Sequence, residues 1–139
     1  MINPNLDHIG LVALQVEPVM EQLSAHLGVD WRGVFERKIP VDDSARGKFI
    51  VDFKIAVTTQ YPYLEVIQAV PHSPWALDED RIVLHHLAYF AEDLAEDSSR
   101  IAEPCPIEIA GVGPDGKIPR TFTYQVLNGL RFEVLERRS

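Results

Sequence analysis

The chain repeats itself, and an internal repeat limits the available folds more than any single motif does. "LDHIGLVALQVEPVMEQLSAHLG" spans 6–28, and "LHHLAYFAEDLAEDSSRIAEP" spans 84–104. Each opens Leu–X–His–aliphatic, runs through an apolar strand and then meets acidic residues and a short helical pattern. "YLEVIQ" at 63–68 and "RFEVLE" at 131–136 form a second matching pair. The repeat places His8 opposite His86 and Glu65 opposite Glu133. Two modules are therefore expected, about 1–70 and 83–139. A Pro-rich connector at 71–82 would join them within a single domain.

Pattern gives the elements of each module. In the first, 5–14 reads as a strand. Pro18 suits a first helical turn, and Val19, Met20, Leu23 and Leu27 recur at helical spacing up to Gly28. Strands are expected near 32–40, 47–58 and 63–70. In the second module a strand at 83–91 precedes a helix from about 94. Asp93 and Glu96 resemble a capping box there, and Pro104 stops the helix. Strands follow near 106–112, 118–127 and 130–137, with Asn128–Gly129 as a tight hairpin turn. The order is β-α-β-β-β, twice.

Strand parity then sorts the side chains. One face of 5–14 carries His8, Gly10 and Val12. The matching faces carry Glu65, His86 and Glu133. The opposite, more apolar faces suit helix packing. A carboxylate inside an apolar strand is costly unless it is paired or holds a cation. Two Glu and two His at equivalent places point to one shared site. Two imidazoles and two carboxylates suit Zn, Ni, Co, Fe or Mn as the divalent metal. By the same parity His85 faces away from His86, as a structural residue or a partner behind it. His26, His72 and Cys105 read as ordinary packed or surface residues, and "HSPWALDED" as a plain surface connector.

Composition narrows the partners. A hydrophobic content of 46% supports a real core, and the formal net charge of −8 without a basic cluster argues against nucleic acid. No run of 18 apolar residues and no secretory signal can be seen. One cysteine rules out an internal disulfide and a cysteine-cluster zinc site. The expectation is a cytoplasmic protein with a small-molecule substrate or ligand and no membrane partner.

"LDHIGLV", "YLEVIQAVPHSPW", "LHHLAYFAEDL" and "LRFEVLE" resemble, in order, the four metal-strand motifs of the vicinal oxygen chelate superfamily. That superfamily includes glyoxalases, bleomycin-resistance proteins and dioxygenases. The resemblance covers almost the whole chain and is nearest to members like methylmalonyl-CoA epimerase and lactoylglutathione lyase. It implies an α+β fold of two βαβββ modules, whose strands form a curved, open mixed sheet around a cleft. It also implies metal ligation by His8, Glu65, His86 and Glu133. The implied activity is that of a metal-dependent isomerase or lyase acting on a small carbonyl compound, such as an acyl thioester, through an enolate or enediolate. Epimerases use a further Glu base, and the matching position here falls near Lys48. Asp52 and Glu36 are the substitutes, so Glu133, Glu65 and Asp52 stand as candidate catalytic groups. Tyr63, Trp75, Tyr89, Phe122 and Tyr124 are candidate pocket residues. The alternative is a metal-independent binding protein of the same fold, sequestering a ligand or assisting biosynthesis. Many relatives are homodimers, and the edges of an open sheet invite a second copy.

Overall fold

The computed structural model describes residues 1–137. Its strands are β1 (His8–Ala13), β2 (Trp31–Asp43), β3 (Gly47–Thr58), β4 (Tyr63–Gln68), β5 (Val83–Ala91), β6 (Ile107–Gly111), β7 (Phe122–Leu127) and β8 (Leu130–Glu136). Helix α1 (Val16–Leu27) follows β1, and α2 (Leu94–Ile101) follows β5. The order β-α-β-β-β therefore occurs twice. Gly28, in the left-handed region at φ 71°, ends α1, and its N–H donates to Ser24 O. Asp93 caps α2 by accepting from the Glu96 N–H at 3.0 Å.

The strands run β1-β4-β3-β2-β6-β7-β8-β5 around a closed sheet. β1 pairs parallel with β4 and antiparallel with β5, and β5 pairs parallel with β8. The open sheet expected from the sequence is thus closed, and the reason lies in the long hairpin of β2 and β3. β2 runs on to Asp43, beyond the expected end at 40, and residues 41–43 pair with 109–111 of β6. That seam is short, so the β2 edge before it stays open and forms the mouth of a cleft. Free sheet edges, one of the two reasons for expecting a second copy, shrink to that stretch.

A second difference lies before β7. Residues 118–121 form a loop rather than a strand start, with a cis Ile118–Pro119 peptide. Proline has no N–H to give a sheet ladder.

The two sheet faces are packed differently. α1 covers Ala13, Ala56 and Val66 with Val16 and Val19. α2 covers Ala91 and Val134 with Leu94. Under α2 a buried polar network replaces part of the apolar contact: the Gln125 Nε2 donates to Ser98 O and Cys105 O, and Thr123 donates to Gln125 Oε1. The inner face gathers Val12, Val41, Val51, Phe53, Ile67, Trp75, Ile109, Phe122 and Tyr124 in one cluster. Among the described residues, no helix is long and apolar enough to cross a membrane.

Candidate metal centre and cleft

The four strands that carry His8, Glu65, His86 and Glu133 are immediate neighbours, in the order β4-β1-β5-β8. Register sets the side chains in two rows. Glu65, Gly10 and His86 lie abreast in one, and His8, Ala88 and Glu133 in the other. The small central residues, Gly10 and Ala88, let the flanking side chains converge. A Cβ on Gly10 would lie 1.9 Å from the His86 ring, so only glycine fits.

The convergence is tight. One ligand atom from each of His8, Glu65, His86 and Glu133 falls within 4.8 Å of all the others. Nε2 of His8 lies 3.2 Å from Nε2 of His86, 3.0 Å from Glu133 Oε1 and 3.4 Å from Glu65 Oε1. Nε2 of His86 lies 3.2 Å from Glu133 Oε1 and 3.5 Å from Glu65 Oε1. Neighbouring ligands of one ion stand about 3 Å apart when each bond is about 2.1 Å. Glu133 Oε1 is buried and accepts no hydrogen bond. A buried carboxylate oxygen left in that state is costly, and a cation would relieve it. The residues present therefore fit a divalent metal held by His8, Glu65, His86 and Glu133.

The electrostatics without an ion agree. Burial opposes a charge on His8, but the Glu65 carboxylate, the hydrogen bond to Asp7 and the nearby Glu133 carboxylate override it and push its pKa up to about 12. His86 is raised against its burial by Glu133 and Glu65. Burial pushes Glu65 and Glu133 up, yet the two imidazoles hold both carboxyls below the ordinary range. The two carboxylates thus favour the charged form of His8.

The cleft has a volume of about 330 Å³. Phe53, Ile55, Trp75, Phe122 and Tyr124 wall it, Glu65 and Glu133 lie on its floor, and Arg32 and Arg37 line it from β2. Trp75 is fully buried, and its Nε1–H donates to the Tyr124 hydroxyl at 2.9 Å. Burial and the two carboxylates raise the Tyr124 phenol well above its usual value, so it stays protonated.

Other expected residues lie elsewhere. Asp52 is exposed, pairs with Lys38 at 2.9 Å and sits on the outer face of β3, between the inward Val51 and Phe53. Glu36 faces outward likewise, between the cleft residues Phe35 and Arg37. Neither can act as a base in the cleft. Tyr89 packs against Phe132 on the outside of β5, since Ala88 takes the inward place beside Glu133. Tyr63 shares the inner side of β4 but stays at the rim, where the Arg32 guanidinium sits over its ring at 4.7 Å. Trp75, Phe122 and Tyr124 line the cleft.

His85 departs from simple strand parity. Gly10 pairs with His86 but Leu11 pairs with Leu84, so β5 carries an extra residue there. Such a bulge breaks the alternation, and both histidines are buried and in contact, Nδ1 to Nδ1 at 2.9 Å. A second bulge between Trp31 and Val34 brings Arg32 to the cleft side of β2. Its only signal in the sequence is Gly33, which adopts φ 120°. The connector is no mere surface strap, because it supplies the buried Trp75.

No protein-family model matches the sequence, and no curated protein matches it. Solved structures do. One is a variant of Streptomyces coelicolor methylmalonyl-CoA epimerase in complex with 2-nitronate-propionyl-CoA. It has a TM-score of 0.67 and 16% identity, covering 96% of this chain and 97% of that one. Methylmalonyl-CoA epimerase from Mycobacterium tuberculosis has a TM-score of 0.60 and 15% identity, covering 100% and 94%. A hypothetical protein from Bacillus halodurans C-125 has a TM-score of 0.60 and 18% identity, covering 97% and 95%. The chain has the vicinal oxygen chelate fold, which it shares with the methylmalonyl-CoA epimerases.

Proposed function

We propose that the protein is a divalent-metal-dependent isomerase or lyase that moves a proton next to the carbonyl of a small compound, with acyl-CoA thioesters the first class to test. The convergence of His8, Glu65, His86 and Glu133 at the floor of an apolar cleft carries this reading. We read the chain as one domain of two modules, about 1–70 and 83–139, that share this centre. Zn, Ni, Co, Fe or Mn would suit the ligands. Bound there, the ion supplies Lewis acidity to the substrate's carbonyl oxygens and so stabilises an enolate.

The chain's residues would do the rest. Among the described residues, Glu65 and Glu133 are the only carboxylates lining the cleft, so one of them moves the proton. Phe53, Trp75 and Phe122 exclude water from the reacting carbon. Arg32 and Arg37 are exposed at the open side, and the arginines that form salt bridges among the described residues are others. They suit a substrate carboxylate or the phosphates of a CoA thioester.

The test is exchange of the α-proton of methylmalonyl-CoA with deuterated water, followed by NMR, with Co²⁺ or with EDTA. The reading expects exchange with metal only, and a loss of about a hundredfold or more in Glu133→Gln or Glu65→Gln. Absence of metal-dependent exchange with methylmalonyl-CoA, propionyl-CoA and a glutathione hemithioacetal alike would refute it. The aromatic wall also favours a second reading, a ligand held without metal. Thermal stabilisation by a ligand that survives EDTA and His86→Ala would select that one.

A further inference from the structure

The bulge at residues 85–86 gives His85 two polar neighbours. Its Nε2 lies 2.8 Å from the carbonyl oxygen of Pro74, and its Nδ1 lies 2.9 Å from Nδ1 of His86. A carbonyl only accepts, so Nε2 of His85 carries a proton. A neutral imidazole has one proton, so its Nδ1 must accept, and Nδ1 of His86 must donate. The lone pair of His86 then falls on Nε2, the nitrogen that faces His8, Glu65 and Glu133. Nη1 of Arg131 donates to the backbone carbonyl of His85 at 3.3 Å, on the same stretch of β5.

The Pro74 carbonyl is itself fixed. Ser73 Oγ donates to Val70 O at 2.7 Å and accepts from the Trp75 N–H at 3.0 Å, while the Val70 N–H donates to Trp75 O at 3.0 Å. The indole of Trp75 lies against the His85 ring with 24° between the planes. The repeat supplies a counterpart. Asp7 stands where His85 stands, and its Oδ2 lies 2.8 Å from Nδ1 of His8. Both imidazole ligands are thus backed at Nδ1 by the residue just before them, one by a carboxylate and one by an imidazole resting on a carbonyl.

We propose that His85 is a positioning residue: hydrogen-bonded to the Pro74 carbonyl, it holds the His86 proton on Nδ1 and so presents Nε2 to the metal. This rests on the metal-centre reading above. Partners behind a ligating histidine typically change metal affinity 10–100-fold.

The test uses the full chain and two readouts. Long-range ¹H–¹⁵N spectra of the metal-free protein are expected to show a proton on His86 Nδ1. Titration with Co²⁺ is expected to weaken about 10–100-fold in His85→Phe and to recover to within about threefold of wild type in His85→Asn, whose amide oxygen can accept at the same place. A His86 with no proton on Nδ1, or His85→Phe binding Co²⁺ as wild type does, would overturn the proposal. Should His85→Phe fail to fold, the wild-type spectrum and the His85→Asn affinity decide. Should the wild type bind no Co²⁺, the metal reading fails, and the tautomer still reports on His85 separately.

Discussion

Replacing Gly10 by alanine adds one methyl group at the point where the fold has no room for it. The new Cβ would stand 1.9 Å from Cε1, 2.2 Å from Nε2 and 2.3 Å from Nδ1 of His86. Those are distances at which atoms cannot coexist, so one of them moves. The His86 ring cannot yield cheaply. It is buried, with Tyr124 at 4.9 Å and His8 at 5.4 Å between ring centroids, and His85 fixes its Nδ1. Overpacking a core costs about 1–3 kcal/mol, and a clash this deep against a hydrogen-bonded ring belongs at the upper end, about 3 kcal/mol. Urea denaturation of metal-free Gly10→Ala would measure it. Co²⁺ affinity should fall at the same time, because the displaced ring is a ligand. The double variant Gly10→Ala/His86→Ala isolates the cause. Removing the ring makes room for the methyl, so its stability should exceed the sum of the single effects by about 2 kcal/mol. A single variant within about 0.5 kcal/mol of wild type, or strict additivity in the cycle, would refute the reasoning.

Three further outcomes follow from the same geometry. Tyr124→Phe strands the buried Trp75 Nε1–H, which donates to the Tyr124 hydroxyl at 2.9 Å, and should cost about 1–3 kcal/mol in chemical denaturation. Asp52→Asn should leave metal affinity and any α-proton exchange at wild-type levels, because the side chain lies outside the sheet beside Lys38; a large loss of exchange rate would return it to the chemistry. Without metal, stability should peak near pH 6.5. His8, raised to about 12, contributes stability that is fully present below its unfolded value of about 6.5 and is lost as pH rises from there. On the acid side two effects act together. Glu65 and Glu133, both lowered, lose their contribution as pH falls below about 4.5. His85, lowered to about 3, stays neutral in the fold while the unfolded chain takes up a proton below about 6.5. Denaturation of EDTA-treated protein at about pH 5, 6.5 and 9 would check the sign on each side, and a steady rise toward pH 9 would contradict it.

Strand parity and the repeat were enough to bring His8, Glu65, His86 and Glu133 together. Glu65 and Glu133 stand inside apolar strands, which is costly without a partner, and the repeat pairs them with His8 and His86. Parity failed where the strands are irregular. The bulge at 85–86 turns His85 inward, and nothing in "LHHLAYF" marks it. The bulge after Trp31 was signalled only by Gly33. Asp52 drew attention as a carboxylate near the family's base position, yet it alternates outward while Val51 and Phe53 point in. Trp75 was legible as an aromatic near the cleft, but its role depends on the Ser73–Trp75 turn, which brings the connector back under His85. Closure of the sheet was not legible either. It depends on how far β2 runs past residue 40, and on residues 109–111 meeting it there.

The account turns on one centre built from both repeats, so the most direct measurement is calorimetric titration of chelator-treated protein with Co²⁺. It should show about one equivalent bound, with a proton released on binding because His8 is held protonated without metal. His8→Ala, Glu65→Gln, His86→Ala and Glu133→Gln should each weaken binding, one pair from either half of the chain. Binding of less than about a tenth of an equivalent, for Co²⁺ and for Zn²⁺, Ni²⁺ and Mn²⁺ in turn, would contradict the account. So would stoichiometric binding that all four substitutions leave unchanged.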